Sequence, residues 1–133
     1  MLEAFNRGDV PAVLAAFDRN CELDEPLEMP DRRPGGFRGH DGIREWMGNL
    51  REVAGIEFEP LGFTTSGDVI VSQWAARGLG QASEVPVEWT TFAVLHMRDG
   101  RIARAQGFLS KDEALEATGL SRSFTGVHPR ASA

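Results

Sequence analysis

The chain has 133 residues, enough for one domain with a single hydrophobic core. Its net charge of -6 excludes the positive surface that binds nucleic acid or anionic membranes, so we expect neither partner. Cys21 is the only cysteine, which excludes an internal disulfide, and no signal peptide or membrane-spanning apolar run is recognisable, so we expect a cytoplasmic protein.

The first half of the chain predicts three helices. Residues 1–7 form the first, which Gly8 ends, and Asp9 caps a second whose buried stripe runs over Val10–Phe17. The third extends from about residue 40 to residue 54. Its apolar face carries Ile43, Trp46, Met47 and Leu50.

A strand is predicted between the second and third helices, over Asn20–Pro26. Its alternation places Cys21, Leu23 and Glu25 on one inward face, which therefore ends in a carboxyl group. The following stretch, 26–39, contains three prolines and three glycines and predicts a loop.

Three long strands fill the stretch from Asp68 to Leu109. Trp74 and Trp89 share the predicted concave face, toward which Trp46 projects from the third helix. The three indoles form either an aromatic wall for a flat, apolar ligand or simply the filling of the core. The only hydroxyl groups on that face belong to Ser72 and Thr91, which either orient a ligand or bond to each other.

The last two strands are joined by a tight hairpin signal at residues 98–101. With Gly100 in the left-handed position of a three-residue loop, Leu95 lies beside Ala103 and Ala93 beside Ala105. Ala93, Ala103, Ala105 and Gly107 are small and would leave space at the centre of the concave face. We therefore expect a pocket that opens between the loop at 26–39 and the sheet. A two-residue turn would shift the register by one.

A capping box at residues 110–113 opens a closing helix that ends at Gly119-Leu120. We assign residues 1–120 to one domain and residues 121–133 to a mobile tail without periodicity. The order of elements predicts an α+β fold, in which a curved, mostly antiparallel sheet wraps around the N-terminal helices.

Four segments in this order resemble a known family: AFNRGDVPAVLAAFD, FRGHDGIREWM, RDGRI and KDEALEATGL. They resemble the SnoaL-like branch of the nuclear transport factor 2-like superfamily, over roughly residues 3–120. The resemblance implies a cone-shaped α+β barrel with one open pocket, usually in a homodimer. Members of the superfamily include polyketide cyclases, ketosteroid isomerase, limonene epoxide hydrolase and pure binding or transport proteins, so the fold does not choose a function.

The resemblance can be carried over one residue at a time. Glu25-Pro26 matches the aspartate before a proline that is the general base of ketosteroid isomerase. The oxyanion-hole positions of that enzyme correspond to Met1 and Leu95, whose side chains cannot donate a hydrogen bond. The positions that the epoxide hydrolase needs read Trp74, Ala76 and Gly107. Both mechanisms are therefore poor models for this chain.

Glu25 remains as the candidate catalytic residue. Burial among Phe17, Trp46 and Leu95 would raise the pKa of its carboxyl group toward neutrality, as a general acid or base requires. The alternative is a carboxylate at the pocket mouth, solvated or paired with an arginine. The arginines in reach are Arg32, Arg33 and Arg38.

The expected ligand is an apolar, cyclic small molecule. Its predicted contacts are Phe17, Trp46, Met47, Ser72, Trp74, Trp89, Thr91, Leu95 and Leu109. The spacing of the three histidines matches no metal motif, so we expect neither a metal nor a cofactor. Three functions stay open: an isomerase, cyclase or hydratase that uses Glu25 for proton transfer, a non-catalytic binding protein, and a dimeric partner-binding module.

Both faces of the final hairpin are apolar, which is unusual for a sheet with one solvated face. The outward residues expected to be uncovered are Phe92, Val94, Ile102 and Phe108. Because we place the helices on the concave side, we predict a homodimer in which the sheet of one copy covers the sheet of the other. The alternative is that the tail folds back over this face with Phe124 and Val127.

Overall fold

Six strands form one curved sheet in the computed structural model, which describes residues 1–29, 33–53, 55–79 and 86–119. The strands are β1 (Phe17–Asp24), β2 (Phe37–Arg38), β3 (Glu57–Ser66), β4 (Val69–Leu79), β5 (Pro86–Arg98) and β6 (Arg101–Phe108). The helices are α1 (Leu2–Arg7), α2 (Val10–Ala15), α3 (Gly39–Gly48) and α4 (Lys111–Thr118), and a π-helical turn at Asn49–Val53 follows α3.

The strand order is β2-β1-β6-β5-β4-β3. Every neighbouring pair is antiparallel except β1 and β6, which confirms the mostly antiparallel sheet predicted from the sequence. Among the described strands, β2 and β3 each have one neighbour, so the sheet is open and not a closed barrel. Helices α1 to α3 lie on its concave side, where the main core includes Phe5, Ile43 and Trp46.

Three of the predicted helix ends are confirmed. Gly8 ends α1 in the left-handed conformation at φ 73°. The Asp9 side chain accepts a hydrogen bond from the Ala12 amide at 3.2 Å and begins α2. The Ser110 hydroxyl accepts one from the Glu113 amide at 3.4 Å and begins α4.

Several element boundaries differ from the prediction: β1 covers Phe17–Asp24 and not residues 20–26, and β2 lies within the predicted loop at 26–39. Phe17 belongs to β1 and not to the second helix, because it pairs with Ile102 of β6. The Ile102 amide also donates to the Ala16 carbonyl at 2.8 Å, so pairing with a distant strand ends the helix early. The third helix ends at Gly48, and its expected last turn is π-helical.

The register of the final hairpin also differs. Arg98 pairs with Arg101 across a two-residue turn in which Asp99 and Gly100 take φ 52° and 76°. The ladder then shifts by one residue at Ala103, a bulge that the sequence did not reveal. The turn and the bulge together move the pairing by two residues, so the strand faces beyond the bulge stay as predicted.

This register places Leu95 beside Ala105, and Ala93 beside Gly107. The bulge turns Ile102 toward the concave side, where it joins the main core. The prediction that Ile102 lies on the outward face is therefore wrong.

The outward face is covered by the chain's own α4. Ala114 of that helix packs with Val71, Phe92 and Val94, and all four residues are buried. The expectation that Phe92 and Val94 need a second copy to cover them is wrong, because it placed every helix on the concave side. Phe108 packs at the margin of this cluster and is half-buried. The homodimer stays a prediction without its original argument.

The Asn6 side chain of α1 binds the backbone of β3 at the edge of the sheet. Its side-chain amide donates to the Phe58 carbonyl at 2.8 Å, and its oxygen accepts from the Phe58 amide at 2.9 Å. The side chain thus satisfies the two backbone groups of Phe58 in the way that a neighbouring strand would.

Two predictions fall on residues outside those described. The first is a loop that the sequence predicts over residues 78–83, of which Gly78 and Leu79 instead belong to β4. The second is the tail at 121–133 with the domain boundary before it. In the part of the chain that the structure describes, no helix has the length and apolar character needed to span a bilayer.

Candidate functional site

A cavity lies between the N-terminal helices and the concave face of the sheet. Its volume is about 60 Å³, counted as the space in which the centre of a water molecule can move. One water needs roughly 10–15 Å³ on that measure, so the cavity has room for a small group. Its lining is mostly apolar and consists of Met1, Phe17, Leu23, Asp24, Glu25, Pro26, Met29, Trp46, Leu50, Phe58, Trp74, Trp89, Thr91, Ala93, Leu95, Ala105, Gln106 and Gly107.

Aromatic rings form one side of the cavity. Phe58 stacks against Trp46 with ring centroids 6.4 Å apart and meets the edge of Trp74 at 5.2 Å. Phe5 supports this group from the core, 5.2 Å from Trp46 and 5.1 Å from Phe58. Such contacts fix the rings relative to one another, so this wall has a defined shape.

Glu25 brings a buried carboxyl group to this mostly apolar lining, whose other acid, Asp24, is half-buried. It lies directly after the end of β1, and only 8% of its surface is exposed. Its Oε1 atom is shielded from solvent. The alternation of β1 is the cause, because Cys21, Leu23 and Glu25 all lie on the buried side.

Two of the arginines considered as partners of Glu25 bind other carboxylates. Arg38 donates to Glu22 at 2.5 Å, and Arg33 pairs with Glu45. Arg32 lies outside the described residues. Glu25 is buried and not solvated, while a pair between Glu25 and Arg32 stays untested.

The two hydroxyl groups predicted on the concave face have separate partners. The Trp74 indole N–H donates to the Ser72 hydroxyl at 2.6 Å, and the Thr91 hydroxyl donates to the Phe108 carbonyl at 3.2 Å. They do not bond to each other. Of the two, Thr91 lines the cavity and Ser72 does not.

Most of the predicted ligand contacts lie together. Phe17, Trp46, Trp74, Trp89, Thr91 and Leu95 all line the cavity, as Glu25 does. Met47 instead packs in the core, and Leu109 is half-buried outside the lining. The structure places these residues around one space, while their contact with a ligand stays a prediction.

Sequence reasoning missed several lining residues. Phe58 and Leu50 were recognisable as apolar residues of a strand and a helix, but nothing in their spacing distinguishes a cavity wall from ordinary core. Met1 entered the reasoning only as a position where a catalytic group of a related enzyme is replaced, and it lines the cavity. Gln106 was not among the predicted ligand contacts and also lines the cavity. Gly107, like Ala93 and Ala105, was expected at the centre of the concave face and lies in the lining, whereas Ala103 does not.

A polar groove adjoins the cavity on the outside. Its volume is about 470 Å³ on the same measure, and Glu22, Arg38 and Arg104 are among the charged residues that line it. Arg104 lies 3.8 Å from the Asp24 carboxylate. The residues common to the cavity and the groove are Asp24, Glu25, Pro26, Gln106 and Gly107. Glu25 therefore stands at the boundary between an apolar and a polar space.

Cys21 and the described acids and histidines give no sign of other chemistry. Burial raises the pKa of the Cys21 thiol, so the residue stays protonated as part of the core. No group of three or more potential ligands among His, Cys, Asp and Glu comes together within the described residues.

The fold is shared with several solved structures. TerC co-crystallised with polyporic acid is 22% identical with a TM-score of 0.71, covering 86% of this chain and 89% of that one. An NTF2-like protein from Burkholderia pseudomallei is 24% identical with a TM-score of 0.70, covering 86% and 88%. SalBIII, an epoxide hydrolase/cyclase-like enzyme in pyran ring formation in the polyether salinomycin, is 20% identical with a TM-score of 0.67, covering 96% and 88%.

These likenesses define the fold as the cone-shaped α+β class. The model of the SnoaL-like domain matches residues 1–105, so the chain belongs to the SnoaL-like domain family. The assignment made from the sequence is thereby confirmed. A search of curated proteins found no significant match.

Proposed function

We propose that this protein binds an apolar, cyclic small molecule in the cavity and transfers a proton at the Glu25 carboxyl group. The observation that carries the proposal is the buried carboxyl group of Glu25 in a mostly apolar lining. The reaction class is that of a cofactor-independent isomerase, cyclase or hydratase. Structural relatives that were co-crystallised with polyporic acid or take part in pyran ring formation support a small organic ligand.

The surroundings of Glu25 suit this role. Burial disfavours the charged form of a carboxyl group, so we expect the pKa of Glu25 to lie above that of an exposed glutamate. A carboxyl group with a pKa near neutrality is partly ionised and can accept a proton from carbon or oxygen. It can return that proton to another atom of the same substrate.

A second candidate is a binding protein without chemistry. Met1 and Leu95 line the cavity at the positions that correspond to the oxyanion-hole donors of ketosteroid isomerase, and neither side chain donates a hydrogen bond. The Thr91 hydroxyl already donates to a carbonyl. A developing oxyanion would therefore find no free side-chain donor at these three positions, which favours binding alone.

The first experiment is a carboxyl ¹³C NMR titration of the full chain. We expect one glutamate to titrate above the others, and its signal to disappear in Glu25→Gln. Glu28→Gln is the matched control, since Glu28 is exposed and three residues away. An ordinary pKa for Glu25 contradicts proton transfer at this residue.

The second experiment separates the two candidates with cyclohexanone as the probe. Xenon or cyclohexanone that perturbs the signals of Trp74 and Leu95 shows that the cavity accepts apolar groups. If the protein is an enzyme, the wild type and Glu28→Gln should accelerate the exchange of the α-protons of cyclohexanone in D₂O. Glu25→Gln should not. Binding without such exchange supports the binding protein.

Assembly and location are further parts of the proposal. A homodimer would have to use a surface other than the buried part of the outward face, because α4 covers Phe92 and Val94. The partner-binding module depends on this assembly. A cytoplasmic location fits the single free thiol of Cys21. Light scattering and cell fractionation test these two points.

A further inference from the structure

Gly107 of β6 lies unusually close to Pro26. A Cβ atom added at Gly107 would lie 2.7 Å from the Pro26 Cδ, 3.2 Å from its Cγ and 3.3 Å from its backbone nitrogen. Carbon atoms pack at roughly 3.5–4.0 Å, so a contact below about 3 Å is closer than van der Waals packing allows. Gly107 is not among the glycines with positive φ, so space and not backbone conformation requires glycine here.

Pro26 cannot yield easily to such a contact. Its ring fixes φ near -65°, and the ring atoms facing Gly107 include the backbone nitrogen that joins it to Glu25. Pro26 is itself buried. A side chain at position 107 would therefore displace the peptide that carries Glu25, whose own conformation the proline also restricts.

The contact lies where the sheet stops holding this segment. The parallel ladder between β1 and β6 ends with Asp24 opposite Gln106. Glu25 and Pro26 follow the end of β1, and Gly107 follows Gln106 in β6. No further ladder pair joins these residues. Packing of Pro26 on Gly107 thus continues the association of the two strands beyond their last pair.

Both residues also line the cavity and the outer groove. We propose that Gly107 is a positioning residue, whose missing side chain lets Pro26 lie against β6 and so holds the Glu25 carboxyl group inside the cavity. This inference rests on the proposed function for its chemical meaning. The position of Glu25 can nevertheless be measured whether or not the protein is an enzyme.

The test is Gly107→Ala in the full chain, with Gly48→Ala as the matched control. Gly48 lies in α3 with no atom within 4 Å of an added Cβ, and it too lacks a positive φ. We expect Gly107→Ala to change the chemical shifts of Glu25 and to move its pKa toward that of an exposed glutamate. Gly48→Ala should change neither.

Pro26→Ala provides the second arm, because it removes the ring from the other side of the contact. We expect Pro26→Ala to move the Glu25 signals in the same direction as Gly107→Ala does. In a protein that already carries Pro26→Ala, adding Gly107→Ala should have a smaller effect than in the wild type, because the two residues act through one contact. If Gly107→Ala does not fold, Pro26→Ala alone decides the outcome. A merely structural role predicts altered thermal stability with unchanged Glu25 shifts and pKa, and that result overturns the proposal.

The two proposals fail separately. Wild-type Glu25 with an ordinary pKa and no catalysed exchange of cyclohexanone protons contradicts the proposed function. Glu25 chemical shifts that stay unchanged in folded Gly107→Ala, or in Pro26→Ala, contradict the positioning role.

Discussion

The two faces of the sheet use alternate residues of the same strands in opposite ways. On the outward face, Val71, Phe92 and Val94 pack with Ala114 of α4 and leave these side chains almost no exposed surface. On the concave face, the neighbouring positions Ala93 and Gly107 pair across β5 and β6 and border a cavity. One face is filled and stabilises the fold, whereas the other keeps space and a carboxyl group that stability alone does not require.

The largest expected effect comes from a charge on the filled face. Val94→Asp places a carboxylate where the wild-type side chain has no exposed surface, and we expect a loss of about 3–5 kcal/mol in the free energy of unfolding. Thr90→Asp is the control, since Thr90 is exposed on the same strand and should cost less than about 0.5 kcal/mol. Urea denaturation measures both. Wild-type stability in Val94→Asp would show that α4 does not cover this face.

Adding the same volume to each face gives the sharpest comparison. Ala114→Val meets the packed cluster under α4, and overpacking should destabilise the protein by about 1–3 kcal/mol. Ala93→Val extends into the cavity, so stability should change by less than about 1 kcal/mol while xenon binding is lost. Equal losses of stability in the two variants would mean that the cavity is not available space.

The carboxyl group of the concave face should make stability depend on pH. If the folded-state pKa of Glu25 is raised, the folded protein binds more protons than the unfolded chain. Stability then falls as pH rises from about 4.3, the pKa of an unfolded glutamate, to the raised value in the fold. Glu25→Gln should remove this fall, whereas Glu28→Gln should retain it. Thermal unfolding across this pH range tests the prediction.

The smallest expected effect comes from Asp18, near the start of β1. The pKa of its carboxyl group is lowered, so its effect on stability depends on pH in the opposite direction to that of Glu25. Hydrogen bonds from the Asn20 amide at 3.0 Å and the Arg98 guanidinium at 2.7 Å lower the pKa of Asp18. Its contribution to stability is therefore present at neutral pH and lost as pH falls below the ordinary aspartate value. We expect Asp18→Asn to lower the melting temperature slightly at pH 7 and not at pH 2. A difference that persists in acid would contradict the prediction.

Local chemistry made part of this structure predictable. Caps such as Asp9 and Ser110 bond to amides three residues away, and the alternation of Cys21, Leu23 and Glu25 follows from the pleat of one strand. These features depend on neighbours in the chain. The order of segments then identified the family, and with it the cone-shaped fold.

The features that the sequence did not predict depend on contacts between residues far apart in the chain. The bulge at Ala103 turns Ile102 inward, and no turn residue or periodicity announces it. The placement of Ala114 against Val94 follows from the direction in which the chain leaves β6, which the helix sequence does not encode. The site was therefore predictable in Glu25 and in most residues of the concave strand face, but not in Met1, Leu50 and Phe58.

The side chain of Asn6 has a consequence for solubility. Strand β3 is an edge of the sheet, and an edge presents unpaired backbone groups to which a strand of another molecule can add. By binding both the amide and the carbonyl of Phe58, Asn6 occupies the point at which such a strand would begin to pair. Pro60 follows two residues later and has no N–H to donate. At this end of β3 the protein thus carries its own protection against the edge-to-edge growth that leads to amyloid-like aggregates.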